Sequence, residues 1–159
     1  MSITRIDYRA VVKELSKGLI ELDSDEARSC GFLPHIALSE FRTIRYGAGR
    51  QKGVTTHAVD MSAKFHGSVL YLVHNESLRN EVVEKFHEKA AGNGWLTVHC
   101  NYLPEGWKHA TGAGISGYEK FGLVIVDEAG FFFNKFSYDK IYRSLVDVVT
   151  PDVVIHLIN

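Results

Sequence analysis

The sequence predicts an α/β domain built on a mainly parallel sheet of about five strands flanked by helices. Three observations lead there. Short apolar or alternating runs at 41–46, 69–73, 95–100, 121–126 and 153–157 have strand character, and helical periods separate most of them. The run at 121–126, Phe-Gly-Leu-Val-Ile-Val, is continuously apolar, as a strand covered on both faces of a parallel sheet is. A glycine-rich turn at 47–56 joins the first strand to the helix that follows it.

In order, residues 7–16 form a helical period with Val11, Val12, Leu15 and Leu19 near one face and Gly18 as a stop. Residues 20–22 read as a short extended piece. Ser24-Asp25-Glu26 is a cap-like start to a short helix ending by Gly31, and residues 32–35 read as a turn. Phe41, Thr43, Ile44 and Tyr46 mark the first strand. Residues 55–65 form the next helix, with Ala58, Ser62 and Phe65 on one face and Val59 beside them. After the strand at 69–73, Asn75 caps a helix carrying Leu78, Val82, Val83, Phe86 and Ala90, ended by Gly92 and Gly94. A strand at 95–100 leads to a long loop, 101–120, and loops of this length are usually functional or mobile. Ser137 caps a helix with Tyr138, Ile141, Tyr142, Leu145 and Val148, Pro151 breaks it, and 153–157 is the last strand.

Bulk properties narrow the function. A length of 159 residues fits one domain with a real core. The net charge of −1 gives no global pull toward nucleic acid, so DNA as a partner needs a local patch. Cys30 and Cys100 are far apart and unpaired in spacing, and none of the eight histidines joins a metal-spaced set. Together with the lack of a signal-peptide core or a spanning apolar run, this reads as a cytoplasmic protein with no membrane contact.

Two stretches carry chemistry. The first, 47–56, reads Gly-Ala-Gly-Arg-Gln-Lys-Gly-Val-Thr-Thr. Glycines let a backbone approach an anion closely, and the N–H groups opening the next helix then face it. The usual phosphate loop is Gly, four residues, Gly, Lys, Ser/Thr. With Gly53 as the second glycine, Ala48 stands in the first glycine position, Val54 in the lysine position and Thr55 in the Ser/Thr position. Lys52 lies one residue before Gly53. The second stretch is the apolar strand ending in Asp127-Glu128. Asp127 is placed to hold a magnesium ion, directly or through water, and Glu128 to orient or activate the attacking water.

Taken together, these stretches resemble the additional-strand P-loop ATPases, especially helicase-like motors and the large terminases that package phage DNA. Terminase loops often read Arg-Gln-x-Gly-Lys-Thr-Thr, and this chain has Arg50-Gln51-Lys52-Gly53-Val54-Thr55-Thr56. Val-Ile-Val-Asp-Glu-Ala at 124–129 is similar to the family's second motif. Val-Leu-Tyr-Leu-Val-His at 69–74 resembles the strand after the first helix. The resemblance spans 37–159, with 1–36 as an N-terminal helical extension, all in one domain. It implies a RecA-like P-loop NTPase core whose last strand lies between the loop strand and the Asp-Glu strand and carries a polar sensor, His156 or Asn159. Some terminases carry the loop lysine at a displaced position, a role Lys52 can fill.

The resemblance implies an ATP-binding P-loop ATPase acting in a nucleic-acid-directed assembly, in host cytoplasm if the chain is viral. Gly49, Arg50, Gln51, Lys52, Gly53, Val54, Thr55 and Thr56 would bind nucleotide, with Lys52 or Arg50 supplying positive charge. Thr55 and Asp127 would hold Mg2+, and Glu128 and Lys52 would be catalytic. Phe32, His35 and Phe41 are candidates to touch a base. Trp107, Lys108, His109 and Lys120 are candidates to touch nucleic acid. Phe131, Phe132 and Phe133 form a contact with a second copy or a protein partner, or pack beneath the site. Val54 in the lysine position favours an alternative: a non-hydrolysing relative with a regulatory role. A third reading is a nucleoside kinase. Asp-Glu-Ala-Gly-Phe-Phe at 127–132 is similar to the Asp-Glu-Ala-Gln-Phe-Phe of thymidine kinases, but those keep the loop lysine and usually a zinc-bound lasso, which this sequence lacks.

Overall fold

A computed structural model describes residues 5–48, 53–89 and 120–159, and the backbone of 94–100. It is an α/β structure with an all-parallel sheet. The helices are α1 (Tyr8–Ser16), α2 (Asp25–Ser29), α3 (Pro34–Phe41), α4 (Val54–Lys64), α5 (Glu76–Lys89), α6 (Ala129–Lys135) and α7 (Tyr138–Leu145). The strands are β1 (Thr43–Tyr46), β2 (Gly67–Val73), β3 (Gly94–Cys100), β4 (Phe121–Val126) and β5 (Val149–Ile158). Their order across the sheet is β1-β5-β4-β2-β3, and every neighbouring pair is parallel. The last strand therefore lies between β1 and β4, with Ile155 in register with Thr43 on one side and Val124 on the other.

The two-residue period of the strands divides the core into two clusters. Leu70 and Leu72 of β2, Val124 and Val126 of β4, and Ile155 and Leu157 of β5 face one layer. That layer also holds Leu38, Phe132, Ile141 and Leu145 from α3, α6 and α7. Val69, Tyr71 and Val73 of β2 and Leu123 and Ile125 of β4 face the other, with Tyr8, Val54, Ala58, Val59, Leu78 and Val82 from α1, α4 and α5. Both faces of the sheet are thus covered, which is why its central strands β2 and β4 carry near-continuous apolar runs.

Several local expectations change. Residues 34–41 are helical, with Pro34 in the first turn, where a missing N–H is harmless. Phe41 therefore closes α3, and β1 begins at Thr43. The last helix ends at Leu145, and β5 runs through Pro151. Residues 129–135, assigned no element from sequence, form α6. This helix corrects the reading of Phe131, Phe132 and Phe133 as one partner surface. A helical turn aims successive side chains in different directions. Phe132 is buried in the core at 3% exposure, Phe133 is half-buried against it, and Phe131 is 51% exposed.

Candidate functional site

Parallel strands bring their carboxyl ends to one edge of the sheet, and ligands of open α/β folds bind outside that edge. Here a cleft of about 500 Å³ opens, lined by the start of α4, the residues that follow β2 and β4, one face of α5 from Ser77 to Lys85, and Asn159. Two glycines set the backbone around it. Gly53 caps α4 with a left-handed backbone (φ 78°), a conformation that favours glycine, and brings no side-chain acceptor to the first-turn N–H groups. At Gly47 (φ 148°) the chain passes so close to the backbone of Asn159 that a Cβ would overlap it. Glycine is required there by space as well as by backbone angle.

Asp127 is the centre of the site. It is 1% exposed, and its Oδ2 accepts from the hydroxyls of Thr55 (2.9 Å) and Tyr71 (2.6 Å) while its Oδ1 accepts from the Glu128 N–H (2.9 Å). Burial raises the carboxyl pKa above its ordinary value; the hydrogen bonds from Tyr71, Thr55 and the Glu128 N–H oppose that rise. The same pairing raises the Tyr71 phenol well above its usual range, first through burial and then through the Asp127 charge. Thr55 and Asp127, proposed from sequence to share a metal ion, are thus brought together from 72 residues apart.

Glu128 follows in a left-handed conformation (φ 48°, ψ 52°), uncommon for a residue with a side chain. Its Oε2 is hydrogen-bonded to His74 Nε2. His74 is held in turn. Phe131 stacks on its ring (5.4 Å, 24°), Asn75 Nδ2 lies 3.2 Å from the ring nitrogens, and Lys135 Nζ donates to its carbonyl (3.1 Å). Asn75 also caps α5, accepting from the Leu78 N–H (2.8 Å), as its position before the helical period predicted.

Of the two residues considered as a sensor, Asn159 lines the cleft and its Oδ1 accepts from the Gly130 N–H (2.9 Å). His156 is buried behind it and hydrogen-bonded through Nδ1 to the Tyr46 hydroxyl (2.9 Å). Gly53, Val54, Thr55, Thr56, Asp127 and Glu128 all line the cleft. Gly49, Arg50, Gln51 and Lys52 lie outside the described residues, as do Trp107, Lys108 and His109. Phe32, His35 and Phe41 do not line this cleft. Phe32 packs on Phe41 (5.6 Å), and His35 is buried with Nε2 3.3 Å from Asp139. Lys120 precedes β4 and so lies at the opposite end of the sheet.

Four cleft or cleft-adjacent groups were not singled out from sequence: Tyr71, Lys85, Tyr8 and His57. Tyr71 carries the only polar atom on an otherwise apolar strand interior (69–73), a signal for a buried partner. Lys85 sits within the helical period of α5, where a lysine looks like solvent-facing surface. Tyr8 and His57 line a neighbouring cleft of about 570 Å³ that shares Gly53 and Thr56 with the first. Their rings lie 5.5 Å apart, and His57 Nε2 is buried without a hydrogen-bond partner among the described residues.

Among the described residues, no three His, Cys, Asp or Glu side chains cluster as a metal site, and no helix is long and apolar enough to cross a membrane. No protein-family model matches the chain, and no curated protein matches it either.

Proposed function

We propose that this chain is a nucleotide-binding P-loop ATPase with a RecA-like core, of the terminase or helicase type, acting on ATP in a nucleic-acid-directed assembly. One observation carries the reading: the hydroxyl of Thr55, in the first turn of a glycine-capped helix, meets the strand-end carboxylate of Asp127. A hydroxyl and a carboxylate are hard oxygen donors, and Mg2+ takes few protein ligands beside phosphate and water. The residues present therefore fit Mg2+, with Thr55 and Asp127 as its holders. When bound, that ion would neutralise charge on the phosphates.

The rest of the chemistry belongs to the chain. First-turn N–H groups of α4 face the cleft where a phosphate would rest. Glu128, 28% exposed at its side chain and open to the same cleft, accepts a proton from water as that water attacks. His74 fixes the direction of the Glu128 carboxylate. Asn159, at the end of the strand between the two motif strands, is the sensor-position side chain.

A second reading has its own support. Val54, in the lysine position, is 7% exposed and packs with Tyr8, Ala58 and Val59. A side chain committed to the core there favours a relative that binds nucleotide and regulates or inhibits without hydrolysis. Equilibrium binding of ATP with magnesium, alongside phosphate release with and without DNA, separates the two. Binding with DNA-stimulated release is expected for the motor. Binding without release assigns the regulatory relative, and no binding removes both.

A further inference from the structure

We infer that Lys85, on α5 and distant in sequence from the glycine-rich turn, supplies the cation for the phosphate chain of a nucleotide bound at the start of α4. The inference rests on the nucleotide reading above and deepens it. In this cleft the described residues bring three carboxylates, Glu81, Asp127 and Glu128, and Lys85 is the one Lys or Arg side chain among them. Val54 cannot supply the charge, because its aliphatic side chain is in the core.

Geometry places Lys85 where an anion would need it. Leu78 and Val82 bury one face of α5. Lys85, one turn beyond Val82, leans toward α4 and donates from Nζ to Thr56 Oγ1 (3.3 Å). Thr56 is the third residue of α4, so the ammonium lies beside the first turn. That turn is already the positive end of the helix dipole, and a second positive charge there is unfavourable in the free protein. An anion seated between them satisfies both. The same ammonium also pairs with Glu81 (2.8 Å), one turn back on α5. Glu81 is half exposed at its side chain, and an exposed i, i+4 pair of this kind is weak and readily exchanged. A lysine stem is flexible enough to swing from Glu81 to a phosphate without backbone movement. In the absence of ligand, Glu81 holds the charge at the mouth of the cleft.

Titration of the whole chain with Mg·ATP, ADP and adenosine tests this, comparing wild type with Lys85→Met, Lys85→Arg, Glu81→Gln and Lys52→Ala. Lys85→Met is expected to weaken ATP about tenfold or more, the scale of losing one charge-assisted contact. ADP should weaken less and adenosine not at all. Lys85→Arg should recover most of the ATP affinity, and Glu81→Gln should tighten ATP because the competing carboxylate is gone. Thermal melting verifies that each variant is folded. Wild-type binding of ATP with no change in Lys85→Met overturns the inference and leaves the nucleotide reading standing. The same holds if the loss is equal for ATP and adenosine, or if Lys52→Ala alone removes the phosphate-dependent affinity. Failure of wild type to bind any nucleotide overturns both.

Discussion

Thr55 and Asp127 share a 2.9 Å hydrogen bond across 72 residues of sequence, the first from the start of a helix and the second from the end of a buried strand. β4 and β1 are not neighbours; β5 separates them. The contact forms because α4 lies over the sheet and returns its first turn to the carboxyl ends of the central strands. Asp127→Asn is therefore expected to keep the fold and to abolish the magnesium dependence of nucleotide binding. Asp127→Ala should do the same and also leave the Tyr71 hydroxyl without its buried acceptor, destabilising the protein by about 1–3 kcal/mol. Nucleotide titration with magnesium and with chelator, set beside chemical denaturation, reads both effects. Retained magnesium dependence in Asp127→Asn would remove this residue from the proposed metal site.

Glu128 and His74 make a separable prediction. In Glu128→Gln, turnover should fall by about 10²–10⁴-fold, the range of a positioned general base, while nucleotide affinity stays within a few-fold of wild type. His74→Ala removes only the group that aims Glu128, so kcat should fall by less, with KM little changed. His74→Asn, which retains a donor, should recover part of kcat. Single-turnover kinetics on the three variants checks the order. Equal losses in KM and kcat for His74→Ala would mean that His74 contacts nucleotide instead of positioning the carboxylate.

The phenylalanines of α6 divide by exposure. Phe132→Ser should destabilise the protein by about 3–5 kcal/mol, because it removes a buried ring from the core beside Phe136 (4.9 Å) and Phe133 (5.2 Å). Phe131→Ser, at a half-exposed position, should change stability little. If Phe131 meets a partner or a second copy, its replacement lowers the mass measured in solution by light scattering. An unchanged mass would mean that Phe131 mediates no association and serves contacts within the chain, among them its stacking on His74.

What the sequence made legible, and what it hid, follows from the kind of signal involved. The buried strands could be read because β4 and β2 are covered on both faces and so carry unbroken apolar runs. The pairing of Thr55 with Asp127 could be anticipated because glycine-rich turns and strand-end carboxylates are local patterns with a shared chemistry. Helix α3 is hidden in the sequence because Pro34 reads as a break, although a first-turn proline loses no helical hydrogen bond. Helix α6 is hidden because three phenylalanines in a row show neither a helical nor a strand period. Tyr71 and Lys85 reach the site through the packing of β2 and α5 against α4, a tertiary relation that no spacing along the chain displays, whereas the place of His74 at a strand's carboxyl end already points toward the site.

His156 gives a pH dependence of stability with a definite sign. It is 2% exposed, lies in register between Ile44 and Ile125, and accepts at Nδ1 from Tyr46, whose phenol is held protonated by burial and by the Asp127 charge. Burial, with a smaller contribution from the His57 charge, lowers the His156 pKa from 6.5 to about 3. Between those values the unfolded chain carries a proton at this site and the folded chain does not. Stability is then complete above pH 6.5 and is lost as pH falls toward 3, with a slope of roughly 1.4 kcal/mol per pH unit where one proton separates the two states. His57, whose pKa burial also lowers, adds in the same direction. Urea denaturation at intervals from pH 7.5 to 4.5 should show this fall in wild type. His156→Phe starts from a lower stability, because Tyr46 loses its acceptor, but should have a shallower slope below pH 6.5. Parallel slopes would show that His156 takes up its proton in the folded state, at odds with its burial between Ile44 and Ile125.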